Sequence, residues 1–225
     1  MWRASAAPAT EWQAQAPAMA LAFRPHRGTP GLVRSVAAEG LLPWQSASWV
    51  KWPMLAASAA TLVIPGNGVA APIAVFLLLL GPVIGEAAAR EELYGTGATV
   101  FAQPGVPRST VGRKAAAISG FVLLVGAPVL LRSFARGVEH GLAMLLGMAF
   151  VAGAATGLGW LSRGGKLFLG LFTALWYVAV QRESPLDFTG AFARPDLQRC
   201  AIFAAIGVGA TVVAALVERA RPISR

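Results

Sequence analysis

The sequence predicts an all-α, polytopic membrane protein with six transmembrane helices and an N-terminal interfacial amphipathic helix. Hydrophobic residues make up 56% of the 225 positions and charged residues 13%, and the mean hydropathy is +0.61. This balance is far more apolar than that of a soluble domain of the same size. The apolar residues are also concentrated in six runs, each about long enough for a helix to cross a bilayer, which takes roughly 17–25 residues. These runs are residues 49–65, 69–86, 115–132, 141–161, 165–181 and 200–217.

Two features of the runs refine this prediction. They lack the alternation of apolar and polar residues that a transmembrane barrel strand requires, which favours helices. The Pro-Gly-Asn-Gly sequence at residues 65–68 is a strong turn signal, so we expect two short helices there and not one long one. Pro82 and Pro128 are expected to kink the second and third spans near their ends.

The N-terminal region precedes the membrane domain in two parts. Residues 1–28 are interrupted by Glu11, Gln13 and Gln15, so they lack the continuous apolar core of a signal peptide, and we expect a flexible cytoplasmic N-terminus. Residues 29–48 are expected to form an amphipathic interfacial helix and a linker, with Thr29 as the N-cap. The alternative for this second part is an ordinary loop that leads into the first span. The membrane domain then comprises residues 49–222.

The distribution of positive charge predicts the orientation of the spans. If both termini are cytoplasmic, fourteen of the 19 Lys and Arg residues lie on the inner side and five lie on the outer side. This asymmetry follows the positive-inside rule, so the net charge of +9 reflects topology and contact with anionic membrane lipids and does not indicate nucleic-acid binding. The five outer cations are Arg132, Arg136, Arg182, Arg194 and Arg199.

The residue types inside the six runs argue against several chemistries. Ionisable groups lie at the ends of the runs, whereas an ion-coupled carrier usually places a carboxylate or histidine at membrane depth. A membrane enzyme would need a nucleophile, an acid–base pair or a metal cluster, and no such motif is present, so we predict neither a catalytic residue nor a metal site. The single cysteine, Cys200, excludes an intrachain disulfide. Residues 160–168 resemble a P-loop but lack its first Gly and its Ser or Thr.

A charged segment, residues 87–113, separates the second and third spans and is predicted to be cytoplasmic. Thr96 is a plausible N-cap, and a helix from there must stop near Gln103 because Pro104 disfavours helical geometry in the preceding residue. The sequence therefore predicts a two-turn helix outside the membrane, held at both ends by long helices.

This segment resembles the corresponding region of ABC-2 type ABC transporter permeases. In that family a charged stretch is followed by a Gly-Thr pair and two apolar helical turns, which match Arg90 to Glu92, Gly95-Thr96 and Val100-Phe101 here. A Pro, a basic spacer and a Lys then follow, which match Pro104, Arg108 and Lys114. The six runs, the preceding amphipathic helix and the outer connection at residues 181–199 match the layout of the family. The chain departs from the family at Gly97 and Ala98, where such permeases often have Leu and Glu.

The resemblance implies a half-transporter that pairs with a second permease copy or a homologue and binds two copies of a separate ABC ATPase. ATP and Mg would be bound by that ATPase and not by this chain, which has no cofactor of its own. The ATPase-coupling residues would be Gly95, Thr96, Gly97, Val100, Phe101 and Gln103. The charges at the membrane interface would be Arg90, Glu91, Glu92, Arg108, Arg113 and Lys114, or these would be hydrated caps and lipid anchors without a specific partner.

The outer connection, residues 181–199, either dips into the membrane as short helices or lies on its outer surface. The resemblance implies that Phe188 and Phe192 contribute to an outer gate. Gly153 and Gly157 on the fourth span have the small-residue spacing that permits close packing of helices.

We therefore expect a non-enzymatic permease subunit of an ATP-driven exporter, in a bacterial inner membrane, for an amphipathic or lipid-like cargo. Two alternatives remain. A self-sufficient secondary carrier or channel would transport with this chain alone, and a membrane scaffold would bind partners without transporting anything.

Overall fold

The computed structural model describes residues 36–37, 39–41, 43–44, 49–93, 110–181 and 186–220. These residues form helices and connecting turns, and no strand occurs among them, which confirms the all-α prediction for this part of the chain. Seven α-helices have both ends within the described residues: α1 (Lys51–Val63), α2 (Ala70–Leu93), α3 (Thr110–Val125), α4 (Ala127–Arg136), α5 (Val138–Leu161), α6 (Gly165–Val180) and α7 (Leu197–Ala220). A short 3-10 helix, Gly66–Val69, joins α1 to α2 at the predicted turn.

Three of these helices are long and apolar enough to cross a membrane: residues Ala70–Arg90 of α2, and all of α5 and α7. The number is four if α3 and α4, which are bent by 62°, count as one broken span. Helix α6 is apolar but has 16 residues, fewer than the roughly 17 that usually span a bilayer. The chain is thus a helical membrane protein with three or four candidate spans among the described residues. The N-terminal residues that are described near position 40 are helical.

The third apolar run does not form one straight helix. It is broken at Gly126, and Pro128 lies at the start of α4, where its missing N–H group leaves a gap in the hydrogen bonding of the preceding turn. The hydroxyl of Ser58 in α1 donates a 2.7 Å hydrogen bond to the carbonyl oxygen of Val125, the last residue of α3. The Ser58 side chain of α1 therefore supplies a hydrogen-bond donor to a backbone carbonyl group at the bend.

Helices α5 and α7 share the most extensive helix–helix contact in the described part of the bundle. A Cβ atom added to Gly153 would lie 2.6 Å from the carbonyl carbon of Gly207, and one added to Gly157 would lie 2.7 Å from the Cβ of Ala210. The hydroxyl of Thr211 also donates a 2.9 Å hydrogen bond across the contact to the carbonyl oxygen of Gly153. The predicted role of Gly153 and Gly157 in close helix packing is confirmed.

Side-chain contacts define two ends of the bundle. At the anchor end, α2 finishes and α3 begins, and Lys114 of α3 contacts Ala88 of α2. At the opposite end, which we call the plug end, the guanidinium of Arg132 donates a 3.2 Å hydrogen bond to the carbonyl oxygen of Ile64. The charge pattern predicts Lys114 on the inner side and Arg132 on the outer side. In the structure, Lys114 lies at the anchor end and Arg132 lies at the plug end.

Candidate functional site

The predicted coupling segment connects two helices whose flanking residues are described. Gly95, Thr96, Gly97, Val100, Phe101, Gln103 and Arg108 lie outside the described residues, and so do the side chains of Glu91 and Glu92. Arg90, Arg113 and Lys114 are described, and all three lie at the anchor end. The described part of the site is its two attachments, the end of α2 and the start of α3.

Lys114 ties the start of α3 to α2. Its side chain is buried, with 7% of the residue exposed, and its ammonium group donates a 2.9 Å hydrogen bond to the carbonyl oxygen of Ala88. A lysine inside a protein needs such a partner because burial of an unpaired charge is costly. The ammonium group therefore links the end of α2, which precedes the coupling segment, to the start of α3, which follows it.

A carboxylate from α7 caps the start of α3. Glu218 Oε1 accepts a 3.1 Å hydrogen bond from the backbone N–H of Thr110, and Oε2 accepts one of 3.2 Å from the N–H of Val111. The first N–H groups of a helix have no partner within the helix, and a negative charge is stabilised there by the helix dipole. Glu218 therefore fixes the point at which the chain re-enters the bundle after the coupling segment.

The N-terminal region also reaches the anchor end. Glu39 lies 4.0 Å from the guanidinium of Arg113, and a Cβ on Gly40 would lie 3.7 Å from the carbonyl oxygen of Ala117. The ammonium group of Lys51 lies over the ring of Trp44 at 5.6 Å, a cation–π contact. A small cavity of about 30 Å³ lies beside these contacts and is lined by Glu39, Pro43, Ala87, Arg90, Lys114, Ala117 and Ile118.

Loss of the Glu218 cap is expected to loosen the start of α3. We expect Glu218→Gln to reduce the free energy of unfolding by about 1 kcal/mol, because it removes the charge but not the size of the side chain. Hydrogen exchange of the Thr110 and Val111 amides should accelerate. The matched control is Arg219→Gln, at the adjacent exposed residue of α7. Equal exchange rates in the two variants would contradict the role of Glu218.

The plug end contains a turn built around one buried carboxylate, which we call the Asp187 turn (residues 187–193). Asp187 is 3% exposed and accepts five hydrogen bonds. Oδ1 accepts from the N–H and hydroxyl of Thr189 and from the N–H of Gly190, at 2.9–3.0 Å. Oδ2 accepts from the N–H groups of Phe192 and Ala193 at 2.9 and 3.0 Å. The carboxylate thus replaces the hydrogen bonds that a helix would have provided to this backbone.

The Asp187 turn places Phe188 inside the bundle. The Phe188 side chain is fully buried, and its ring centre lies 5.3 Å from that of Phe150 in α5, 6.3 Å from Phe172 in α6 and 6.1 Å from Phe203 in α7. Phe192 is partly buried and packs against the same core. The structure thus brings the two predicted gate residues into one turn, and Phe188 is the one that reaches the aromatic cluster.

No family model, curated protein or solved structure matches this chain. Within the described residues, no group of three or more His, Cys, Asp or Glu side chains is arranged to hold a metal ion.

Three residues that hold these sites together were not singled out from the sequence: Glu39, Asp187 and Glu218. The Asp-Phe-Thr-Gly sequence at residues 187–190 carries a usable signal, because Asp often accepts hydrogen bonds from N–H groups that follow it in a turn. Glu218 has no comparable signal, since its partner Thr110 lies 108 residues away in the chain.

Proposed function

We propose that this chain is the transmembrane subunit of an ATP-driven exporter of ABC-2 type and that a separate ATPase binds the segment between α2 and α3. The observation that carries the proposal is the construction of the anchor end. There, the segment connects α2 to α3. Lys114 joins α3 to α2, and Glu218 joins α3 to α7. The order of residues from Arg90 to Lys114, which resembles that of ABC-2 permeases, supports the same function.

These attachments give a docked partner a mechanical route into the membrane domain. A displacement of the segment would move the start of α3, and the hydrogen bonds of Glu218 and Lys114 would transfer that displacement to α7 and α2. Such bonds to charged groups contribute about 1.5–3 kcal/mol each, enough to keep the helices together during a small shift. In this proposal the anchor end faces the cytoplasm of a bacterium and six helices cross its inner membrane, including the short α1 and α6.

The proposal is tested by isolating the tagged chain from its native host under mild conditions. We expect a P-loop ATPase to be recovered with it. The Phe101→Glu variant should lower ATPase recovery at least about tenfold, a loss of about 1.4 kcal/mol in binding, because it places a charge on the apolar face of the predicted coupling helix. The matched control is Arg194→Glu, a charge change at an exposed residue of the plug end.

Three results would contradict the proposal. Recovery without any ATPase, together with transport that is unaffected by deleting the ATPase gene, would exclude ATP-driven export. Transport in liposomes by this chain alone with an ion gradient would instead identify a secondary carrier or channel. Stable partner binding with no effect of an ATPase-inactive partner on any flux would identify a scaffold.

A further inference from the structure

Helix α4 has the length and inclination of a helix that lies along a membrane surface. It has ten residues, so it is about 15 Å long, and it is bent by 62° from α3. If α3 crosses the bilayer upright, α3 covers about 24 Å of its depth and the two ends of α4 differ in depth by only about 7 Å. Because the hydrocarbon core is about 30 Å thick, α4 then lies in the leaflet at the plug end, near its headgroups.

The two faces of α4 differ in what they contact. Val129 and Ser133 are buried against the bundle. Leu131 is two positions from Val129, so it projects from the opposite side of the helix, and it is 64% exposed. Phe134 is also exposed, and so is Leu124 in the last turn of α3, just before the bend. An amphipathic helix at a membrane surface directs such apolar side chains towards the acyl chains.

Two arginines lie together on α4, beside this apolar face. Arg132 and Arg136 are four residues apart, so they share one side of the helix. Arg132 is partly buried and donates its hydrogen bond to the carbonyl oxygen of Ile64, whereas Arg136 is exposed. Among the described residues, neither arginine forms an ion pair with a carboxylate, including that of the nearby exposed Glu139. The described residues thus leave the positive charge of α4 without a carboxylate partner.

We propose that α4 is a binding surface for an anionic phospholipid of the leaflet at the plug end. Arg136 pairs with the phosphate of the headgroup, and Arg132 adds positive charge beside it. An acyl chain of the same lipid lies against Leu131 and Phe134, which restricts the ligand to an amphiphile. The charge pattern of the sequence predicts contact with anionic lipids at the anchor end, where the cations are more numerous, whereas α4 lies at the opposite end. Lipid binding by α4 requires neither an ATPase nor transport.

A fluorophore beside α4 can report which lipid occupies this surface. Val138 is exposed and follows Arg136 by two positions, so we place bimane on Val138→Cys in a Cys200→Ala background. The chain is reconstituted in phosphatidylcholine nanodiscs that contain increasing fractions of phosphatidylglycerol or phosphatidylcholine with brominated acyl chains, which quench bimane. The ratio of the two quenching efficiencies is the local preference for the anionic lipid. Bimane on Leu216→Cys, an exposed position near the anchor end, is the control probe.

We expect a preference for phosphatidylglycerol of at least about fivefold at Val138. Arg136→Gln should lower it about fivefold, which corresponds to the roughly 1 kcal/mol that one arginine near a membrane surface contributes. Arg136→Lys keeps the charge and should lower it less than twofold. The matched control is Arg194→Gln, which removes a positive charge from another exposed residue of the plug end and should leave the preference unchanged. Arg136→Gln should not alter the preference at Leu216.

The same fluorophore tests the depth of α4 in the membrane. Bimane emission shifts to shorter wavelengths in an apolar environment, so emission from Leu131→Cys should lie at a shorter wavelength than emission from Arg194→Cys. Addition of inorganic phosphate should change the preference at Val138 no more than chloride at the same ionic strength, because phosphate has no acyl chain to lie against Leu131.

Four outcomes would overturn the proposal. Equal quenching by the two lipids at Val138 would show that α4 does not distinguish their headgroups. An equal loss of preference in Arg136→Gln and Arg194→Gln would show general attraction to the plug end and no site on α4. Water-like emission from Leu131→Cys would place α4 outside the membrane. Displacement by phosphate but not by chloride would identify a site for a free anion. The chain is used without an ATPase, so these results are independent of the coupling experiment.

Discussion

Replacement of Gly157 by alanine is expected to lower the free energy of unfolding by about 1–3 kcal/mol, the usual range for an overpacked site. The added methyl group would meet the Cβ and carbonyl oxygen of Ala210, each at 2.7 Å. Neither atom belongs to a flexible side chain, so α5 and α7 must separate along their length. Unfolding of the purified chain by SDS, followed by circular dichroism, measures the loss.

Gly209 on α7 provides the control for that measurement. A Cβ there would meet no atom within 4 Å, so Gly209→Ala adds the same methyl group without an overlap. Its expected effect is a gain of up to about 1 kcal/mol from helix propensity. Equal free energies of unfolding for Gly157→Ala and Gly209→Ala would contradict the prediction that the close approach of α5 and α7 at Gly157 leaves no room for a methyl group.

Helix α7 matters because it connects both sites. Glu218 near its last turn caps α3 at the anchor end, and Phe203 near its first turn contacts Phe188 at the plug end. Fifteen residues separate Phe203 from Glu218, which is about 22 Å along the helix, so these two contacts lie at opposite ends of the bundle. In the proposed exporter, a shift at the coupling segment would reach the Asp187 turn along this helix. The Gly157 contact would keep α7 aligned with α5 during that shift.

The sequence predicts the parts of this fold that depend on local patterns. Apolar runs of helical length predict the helices, and the Pro-Gly-Asn-Gly sequence at residues 65–68 predicts the break between α1 and α2. The spacing of Gly153 and Gly157 predicts their close contact with another helix because the absence of side chains is itself the signal.

The sequence does not predict which distant groups complete each site. The pattern of residues 181–199 predicts either short helices that dip into the membrane or a segment that lies on its outer surface. Instead, residues 188–194 are non-helical, and Phe188 enters the bundle. Hydrogen bonds within the Asp187 turn make this possible, and periodicity carries no information about them. The cap of α3 by Glu218 depends on how α7 packs, which no local pattern specifies.

Replacement of Phe188 by alanine is expected to have the largest effect of any single substitution at the plug end. Phe-to-Ala changes in protein cores cost about 3–5 kcal/mol, the sum of lost contacts and the cavity that remains. Between membrane helices the hydrophobic contribution is small, but the van der Waals contacts with Phe150, Phe172 and Phe203 are still lost. We therefore expect a loss of about 3 kcal/mol, measured by SDS unfolding.

Phe134 on α4 is the matched position, since it is 43% exposed and lies outside the aromatic cluster. Phe134→Ala should cost less than half as much as Phe188→Ala, because it removes no contact with the rings of Phe150, Phe172 and Phe203. Equal losses of stability in the two variants would contradict the contribution of the aromatic cluster to the packing of Phe188.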